Sequence, residues 1–326
     1  MKRFLTLFLA VLMVLSTLAL ASCGAEKTLK FGTATITAVG SNSDATAEKN
    51  GGSESDACFA AVLVDNDGKI VKCVIDVAQC KTAHTVDGKF VDQGEYQTKD
   101  EKKENYGMSK IGKAEWYVQK DSFCNLVVGK TVDEVAAFIA ADGSVAEAVT
   151  SAGCTIKIGD FVAAVKKAVA AAVDSSAVAS DTVKIGAVSE LSGKDASEDK
   201  AGSNQVDTTV VFTVVGVDGK VKEVVADCVQ YKFSFDANGK NTFDTTKTIL
   251  TKKELGDDYG MAKRSGGKEW YEQAAAFEAA CKGKTATEIA ALVADGGKGV
   301  ESLINAGCTI TVDALVGAAV KAATVG

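Results

Sequence analysis

Two short stretches built from the same small residues could carry chemistry in this chain. They read Ala152-Gly153-Cys154-Thr155 and Ala306-Gly307-Cys308-Thr309, and each precedes a predicted final helix. Backbone N–H groups there and at the helix start could receive a phosphate or another anion, with the threonine hydroxyls as further ligands. The residues equally suit a tight strand-to-helix connection, because glycine permits positive φ and small neighbours permit close packing. The pattern leaves both interpretations open.

A second set, also present twice, combines an aromatic ring, an ammonium and a carboxylate. Its members are Tyr106, Lys110 and Glu115 in the first copy, and Tyr259, Lys263 and Glu269 in the second. The tyrosines stand beside glycines after charged runs, as loop residues do, and loops on a rigid scaffold often carry binding residues. Ring and charges together could hold a flat polar ligand by stacking and ion pairing. The alternative is a tyrosine packed over a loop beside solvated charges that contribute little energy.

A third recurring set lies at a predicted strand end. It comprises Asp76, Gln79 and Lys81 in the first copy, and Asp227, Gln230 and Lys232 in the second. These side chains could line the same cleft or simply mark the end of the strand.

Several function classes are disfavoured by composition. His84 is the only histidine, so neither a serine-histidine-acid nor a cysteine-histidine arrangement can occur in both copies. No C-x-x-C pair exists, and we expect no metal site. The formal net charge of −7 argues against a nucleic-acid partner. Hydrolase chemistry is disfavoured, and a binding role is favoured over an enzymatic one.

The recurring sets indicate that one module is written twice. We place the first module at residues 30–173, a small polar linker at 174–183 and the second module at 184–326. Within this alignment Lys30-Phe31-Gly32 matches Lys184-Ile185-Gly186. A repeat of this length suits two tandem domains rather than a solenoid.

Each module shows strand patterns first and helix patterns second. Residues 59–64 and 70–77 predict a hairpin around Asp67-Gly68. Residues 115–127 predict a helix with Trp116 and Phe123 on one face. Residues 155–158 predict a brief strand before the last helix. The predicted fold class is α+β, with a small antiparallel sheet and helices packed on one face in each module.

The chain has nine cysteines, and eight of them lie after Cys23, which belongs to the amino-terminal segment. An even number in an exported protein suggests disulfides. However, Cys73 aligns with Val224 and Cys228 with Val77, so these cysteines behave as small hydrophobic residues. We therefore expect mostly free thiols, as in a reducing or anaerobic setting, with a Cys73–Cys80 bridge left open.

The amino terminus resembles that of bacterial lipoproteins. Lys2 and Arg3 precede an apolar run, and Leu20-Ala21-Ser22-Cys23 resembles a lipobox. The resemblance implies a signal peptide over residues 1–22, acyl chains of the palmitate type on Cys23, and a tether over 23–29. The mature protein would then be anchored to the cell membrane on its extracytoplasmic face.

We call each Ala-Gly-Cys-Thr stretch, residues 152–155 and 306–309, the glycine corner of its module. The glycine corner and the order of elements resemble the FMN-binding domain of exported electron-transfer proteins. That family's motif, Asp-x-x-Ser-Gly-Ala-Thr, carries FMN on its threonine. Gly153 and Thr155, like Gly307 and Thr309, match the motif, whereas the serine, alanine and acidic positions do not. The stretch 255–261 also resembles lipoproteins of anaerobic bacteria, some labelled membrane-anchored immunogens.

The resemblance implies a small-ligand binding or flavin-type redox carrier lipoprotein, and the alternative is a structural or interaction lipoprotein without a ligand. The predicted cofactor-binding residues are Gly153, Cys154, Thr155, Gly307, Cys308, Thr309, Tyr106, Lys110, Tyr259, Lys263, Asp76 and Asp227.

Overall fold

The structure is a computed structural model that describes residues 26–112 and 114–324. The predicted signal peptide and the predicted lipidation residue Cys23 lie outside the described residues. In the described part of the predicted tether, Leu29 is buried and its N–H donates to Ala177 O at 2.8 Å. The chain is therefore docked on the body immediately before the first strand.

The first half of the chain forms strands and then helices. Its strands are β1 (Lys30–Ser43), β2 (Gly52–Val64), β3 (Ile70–Lys81), β4 (Ala83–His84) and β5 (Phe90–Val91). Its helices are α1 (Lys99–Lys102), α2 (Trp116–Val127), α3 (Val132–Ala136), α4 (Glu147–Ser151) and α5 (Gly159–Ala170), with 3-10 turns at Lys103–Tyr106 and Met108–Lys110.

The second half repeats this order after a short strand, β6 (Val173–Asp174). Its strands are β7 (Thr182–Lys194), β8 (Gly202–Val215) and β9 (Val221–Phe235). Its helices are α6 (Lys252–Leu255), α7 (Trp270–Cys281), α8 (Ala286–Ala290), α9 (Glu301–Asn305) and α10 (Asp313–Ala323), with 3-10 turns at Gly256–Tyr259 and Asp295–Gly297. The predicted α+β class is confirmed.

Both main sheets are antiparallel, with strand orders β3-β2-β1-β6 and β7-β8-β9. The segment between the modules is held in place at several points. Its first residue, Asp174, pairs with Lys30 at the edge of the first sheet. Farther along, Ala177 is fully buried, and Ser176 N donates to Glu223 Oε1 at 2.9 Å. The predicted linker is thus part of the packed body.

The central strands β2 and β8 are buried on both faces. One face of β2 packs against the helices of its own module through Cys58, Ala60, Val62 and Val64. The other face packs against the second sheet through Ala57, Phe59, Ala61 and Leu63. Across this interface the Phe59 and Phe212 rings meet edge to face, with centroids 6.3 Å apart. The layers therefore run helices, sheet, sheet, helices, and burial on both faces explains the unbroken apolar run of β2.

The two modules contact each other through equivalent surfaces. Lys167 on α5 pairs with Glu254 on α6, while Lys321 on α10 pairs with Glu101 on α1 at 2.6 Å. Each ion pair joins the final helix of one module to the first short helix of the other. Such a reciprocal pattern is what a two-fold relation between two similar bodies produces.

The same lysines align the first strands of the two modules. Lys167 Nζ donates to Thr35 O at 2.7 Å, and Lys321 Nζ donates to Ala187 O at 2.9 Å. This pairing shifts β7 by two residues relative to the match predicted from the sequence. A shift by an even number of residues keeps every side chain on the same face of the sheet. The prediction of which residues of β7 face the core is therefore unaffected by the error in alignment.

Candidate functional site

Each module has a cleft between its sheet and its helices, and the two clefts lie at equivalent positions. The first has a volume of about 270 Å³ and the second of about 370 Å³. Six lining positions carry the same residue in both clefts. They are Asp56 and Asp207, Gln79 and Gln230, Lys99 and Lys252, Met108 and Met261, Trp116 and Trp270, and Ile156 and Ile310.

An acid and an amide form the sheet wall of each cleft. Gln79 Nε2 donates to Asp56 Oδ1 at 3.0 Å, and Gln230 Nε2 donates to Asp207 Oδ1 at 2.7 Å. Burial raises the pKa of Asp56, while the nearby Lys99 ammonium opposes that increase. The amide fixes the orientation of each carboxylate towards the cleft.

A lysine held over two aromatic rings supplies the cation. Lys99 Nζ lies 5.4 Å from the Tyr106 ring centroid and 6.0 Å from that of Trp116. In the second cleft Lys252 Nζ lies 5.2 Å from the Tyr259 centroid and 5.7 Å from that of Trp270. At these distances the ring faces attract the ammonium. The rings therefore hold the cation in the cleft.

A capping box fixes the backbone that carries Lys99. Glu101 Oε2 accepts from Thr98 N at 2.9 Å, which completes a capping box at the start of α1. Behind it, Asp76 Oδ1 accepts from Asp100 N at 3.1 Å and from Val77 N at 2.7 Å. The corresponding residues of the second module are Thr251, Glu254, Asp227, Lys253 and Cys228. The structure thus places Asp76 and Asp227 behind the lysine segment as its anchors.

An ion pair joins the same segment to the long helix of each module, with the charges exchanged. In the first module Lys120 on α2 pairs with Asp100 at 2.9 Å. In the second module Glu278 on α7 pairs with Lys253 at 2.5 Å. Both modules therefore join the short helix that carries the cleft lysine to the long helix by an ion pair, but the acid and the base have exchanged sides.

The glycine corner leads directly into residues that line each cleft, Ile156 in the first module and Ile310 in the second. Gly153 and Gly307 have φ values of +101° and +103°, which explains the glycine. The residues that follow form no strand, so the prediction for 155–158 is wrong. The reason is that Thr155 N and Oγ1 donate to Gln119 Oε1 at 2.8 and 2.9 Å. Because that N–H is already engaged, the corner is not the open anion site that the sequence allowed.

The second corner repeats the arrangement. Thr309 N and Oγ1 donate to Gln273 Oε1 at 2.8 and 3.0 Å, and Thr309 lines the second cleft. Cys154 and Cys308 are fully buried and face the helix–sheet cores. In the second module the lining of the cleft includes Thr309, Ile310 and Thr311, whereas in the first module it includes Ile156 and Lys157 but not Thr155.

Replacing the glutamine that holds the corner should loosen it. We expect Gln119→Leu to lower the free energy of unfolding by about 1–2 kcal/mol, because both Thr155 donors lose their shared acceptor. Chemical denaturation measures the change. Gln93→Leu, at an exposed position, is the matched control and should stay within about 0.5 kcal/mol of the parent. Equal stability of the two variants would contradict the role assigned to Gln119.

The predicted set of ring, ammonium and carboxylate is only partly brought together. Glu115 is an intramolecular cap, since its carboxylate accepts from Met108 N at 2.9 Å and from Ser109 N at 3.2 Å. Lys110 and its counterpart Lys263 are exposed and do not line the clefts. The ammonium over the tyrosine belongs to Lys99 or Lys252, which the sequence reasoning missed.

A repeated sequence signal could have found these lysines. Thr98-Lys99-Asp100-Glu101 and Thr251-Lys252-Lys253-Glu254 both fit a capping box, with the cleft lysine directly after the capping threonine. Their recurrence was as informative as that of the tyrosines.

The eight cysteines in the described ranges are unpaired. Cys73 and Cys80 lie on opposite faces of β3, one in the helix-side core and the other between the sheets, so a bridge between them is excluded by geometry. Burial raises the pKa of the Cys58 and Cys228 thiols, which disfavours their thiolates.

Within residues 26–112 and 114–324, no group of histidine, cysteine or acidic side chains is arranged to hold a metal ion. In the same ranges, no helix is both long and apolar enough to cross a bilayer. No family model, curated protein or solved structure matches this chain.

Proposed function

We propose that the chain is a membrane-anchored extracytoplasmic binding protein that holds one small ligand in each module. The observation that carries this proposal is the second occurrence of the same cleft, with six identical lining residues. Concave sites with an apolar wall and a few convergent polar groups are the usual form of a ligand pocket. The anchor and the location follow from the lipobox resemblance.

The lining chemistry favours a small zwitterion with an apolar group. Lys99 and Lys252 can pair with a carboxylate, and Asp56 and Asp207 can pair with an ammonium. Trp116, with the neighbouring methionine and isoleucine, offers an apolar wall. The volumes, about 270 and 370 Å³, lie just below and at the lower end of the range for ligand pockets. An amino acid with a large apolar side chain matches this combination.

Flavin is the second candidate, because the Thr309 hydroxyl lines the second cleft. The surroundings fit its phosphate poorly. Each threonine hydroxyl already donates to a glutamine, and Asp207 Oδ1 lies 3.7 Å from Nζ of Lys252, the one lysine among the described residues that line this cleft. A visible absorption spectrum of the mature protein tests this candidate. A flavin band would overturn the zwitterion proposal, and its survival on the denatured chain would show covalent attachment.

Removing the cleft lysine should weaken ligand binding. With phenylalanine as the probe, we expect Lys99→Met to reduce affinity at the first cleft about tenfold or more, because the carboxylate loses its partner. Tryptophan fluorescence reports binding, since the chain has two tryptophans and one lines each cleft.

Lys110→Met removes the same charge from an exposed position in the same module and is the matched control. It should bind the probe as the parent does. If both variants weakened binding of phenylalanine equally, Lys99 would act only through the net charge of the protein. Absence of any response from either tryptophan would favour the alternative of a structural lipoprotein without a ligand.

A further inference from the structure

The two clefts differ in charge although their shared residues are the same. Among the described residues, the charged ones that line the first cleft are Asp56, Asp160, Lys99 and Lys157, whose formal charges cancel. The second is lined by Glu190, Asp207, Asp313 and Lys252, which leaves a formal charge of −2. The difference therefore arises from residues outside the shared set.

Two substitutions between the copies account for the whole of this formal charge difference. Strand β7 places Glu190 at the rim, where β1 has Ala38, and the segment after the corner places Thr311 where the first module has Lys157. One change adds a negative charge to the second cleft, and the other removes a positive one.

The carboxylates of the second cleft repel one another. Burial raises the pKa of Glu190, and the charges of Asp313 and Asp207 add to that effect. Asp207 accepts from Gln230 and Gln205, each at 2.7 Å, and lies 3.7 Å from Lys252 Nζ. Among the described lining residues, a single ammonium therefore faces three carboxylates around a cavity of about 370 Å³. A cationic ligand would relieve this imbalance, whereas an anionic one would increase it.

Building on the proposed function, we propose that the second cleft selects a ligand with a net positive charge, such as a primary amine bearing an apolar group. The first cleft takes the zwitterion with little preference for charge. Glu190 and Thr311 are the specificity-determining residues, since they distinguish the second cleft from the first.

The test uses two probes that share a phenyl group and differ in charge, phenethylamine and 3-phenylpropionate. Each cleft is followed separately in the full chain by its own tryptophan. Trp116→Phe leaves Trp270 to report on the second cleft, and Trp270→Phe leaves Trp116 to report on the first. We expect the second cleft to bind the amine at least about tenfold more tightly than the carboxylate. In the first cleft the two affinities should agree within about threefold.

Exchanging the two determinants should exchange the preference. Glu190→Ala with Thr311→Lys, in the Trp116→Phe background, should bring the two affinities together. Ala38→Glu with Lys157→Thr, in the Trp270→Phe background, should create a preference for the amine. Circular dichroism checks that each variant is folded, and added salt should reduce the preference if it is electrostatic.

The outcomes separate this inference from the proposed function. If phenylalanine binds but the second cleft does not prefer the amine, the inference is overturned and the binding function stands. A preference for the amine that persists after Glu190→Ala with Thr311→Lys would also overturn it. If phenylalanine and both probes leave both tryptophans unchanged, the binding function and the inference fail together.

Discussion

Gly32→Ala is expected to lower the free energy of unfolding by about 3 kcal/mol, at the upper end for an overpacked core. A Cβ added to Gly32 would lie 2.0 Å from Ala168 O and 2.9 Å from Ala172 Cβ. The first contact is with the backbone of α5, so no side-chain rotation can relieve it. The helix would have to move away from β1, and the ion pair of Lys167 with Glu254 would move with it.

Denaturant unfolding of the full chain measures this loss, and Gly159→Ala provides the control. No atom lies within 4 Å of a Cβ placed at Gly159, so this variant should keep the parental stability or exceed it slightly. Gly186→Ala should resemble Gly32→Ala, because its Cβ would lie 2.2 Å from Ala318 O. A loss below about 1 kcal/mol at Gly32 would contradict this expectation and show that α5 can shift at little cost.

The local features of the fold were predictable because their signals are local. The hairpin turn at Asp67-Gly68 connects the strands as predicted, and Asp218-Gly219 forms the equivalent turn in the second module. Thr131 and Glu134 have the sequence spacing of a capping box, and they form one at the start of α3. Each of these features depends on residues within a few positions of one another, so a single stretch of sequence contains the whole signal.

The packing of the two sheets against each other was missed for the opposite reason. Phe59 meets Phe212 across the interface, and nothing near either residue identifies the partner. The apolar run 57–64 did hold a clue, since a strand with one solvated face would alternate polar and apolar residues. Helices could cover only one of its two faces, so the other required a second sheet.

The candidate site was predictable only in part. Recurrence in both copies drew attention to Tyr106, Asp76 and Gln79, which the structure places at or behind the first cleft. Recurrence could not distinguish a side chain that faces the ligand from one that holds it in place, because both recur when the same cleft is built twice. A lysine at a helix start, such as Lys99, suggests a solvated charge until the rings beneath it are known.

Asp76 has an unusual environment for a carboxylate. Burial raises its pKa from 3.8 to about 7, despite hydrogen bonds from Thr98 and from the backbone of Val77 and Asp100 that favour the charged form. Asp227 shows a shift in the same direction, with burial again the largest cause. In the folded protein Asp76 therefore keeps its proton to a higher pH than it does in the unfolded chain.

This difference sets the sign of the pH dependence. Between pH 4 and pH 7 the folded state binds one more proton at Asp76 than the unfolded state, so stability falls as the pH rises. The slope is about 1.4 kcal/mol per pH unit, or about 4 kcal/mol over the interval. Asp76→Asn keeps an oxygen acceptor for the two N–H groups but cannot ionise. Its stability relative to the parent should therefore improve by about that amount between pH 4 and pH 8.

Chemical denaturation at pH 4 and pH 8 measures the effect, with Asp67→Asn as a control that removes one negative charge at an exposed turn. The control should run parallel to the parent at both pH values. If Asp76→Asn also runs parallel, the backbone hydrogen bonds outweigh burial, and the carboxylate is charged in the folded state. Because Asp76 holds the backbone that carries Lys99, the same titration in the Trp270→Phe background should move Trp116 fluorescence more when Asp76 is present than in Asp76→Asn. That second observation distinguishes a local anchor from a general effect of pH on the fold.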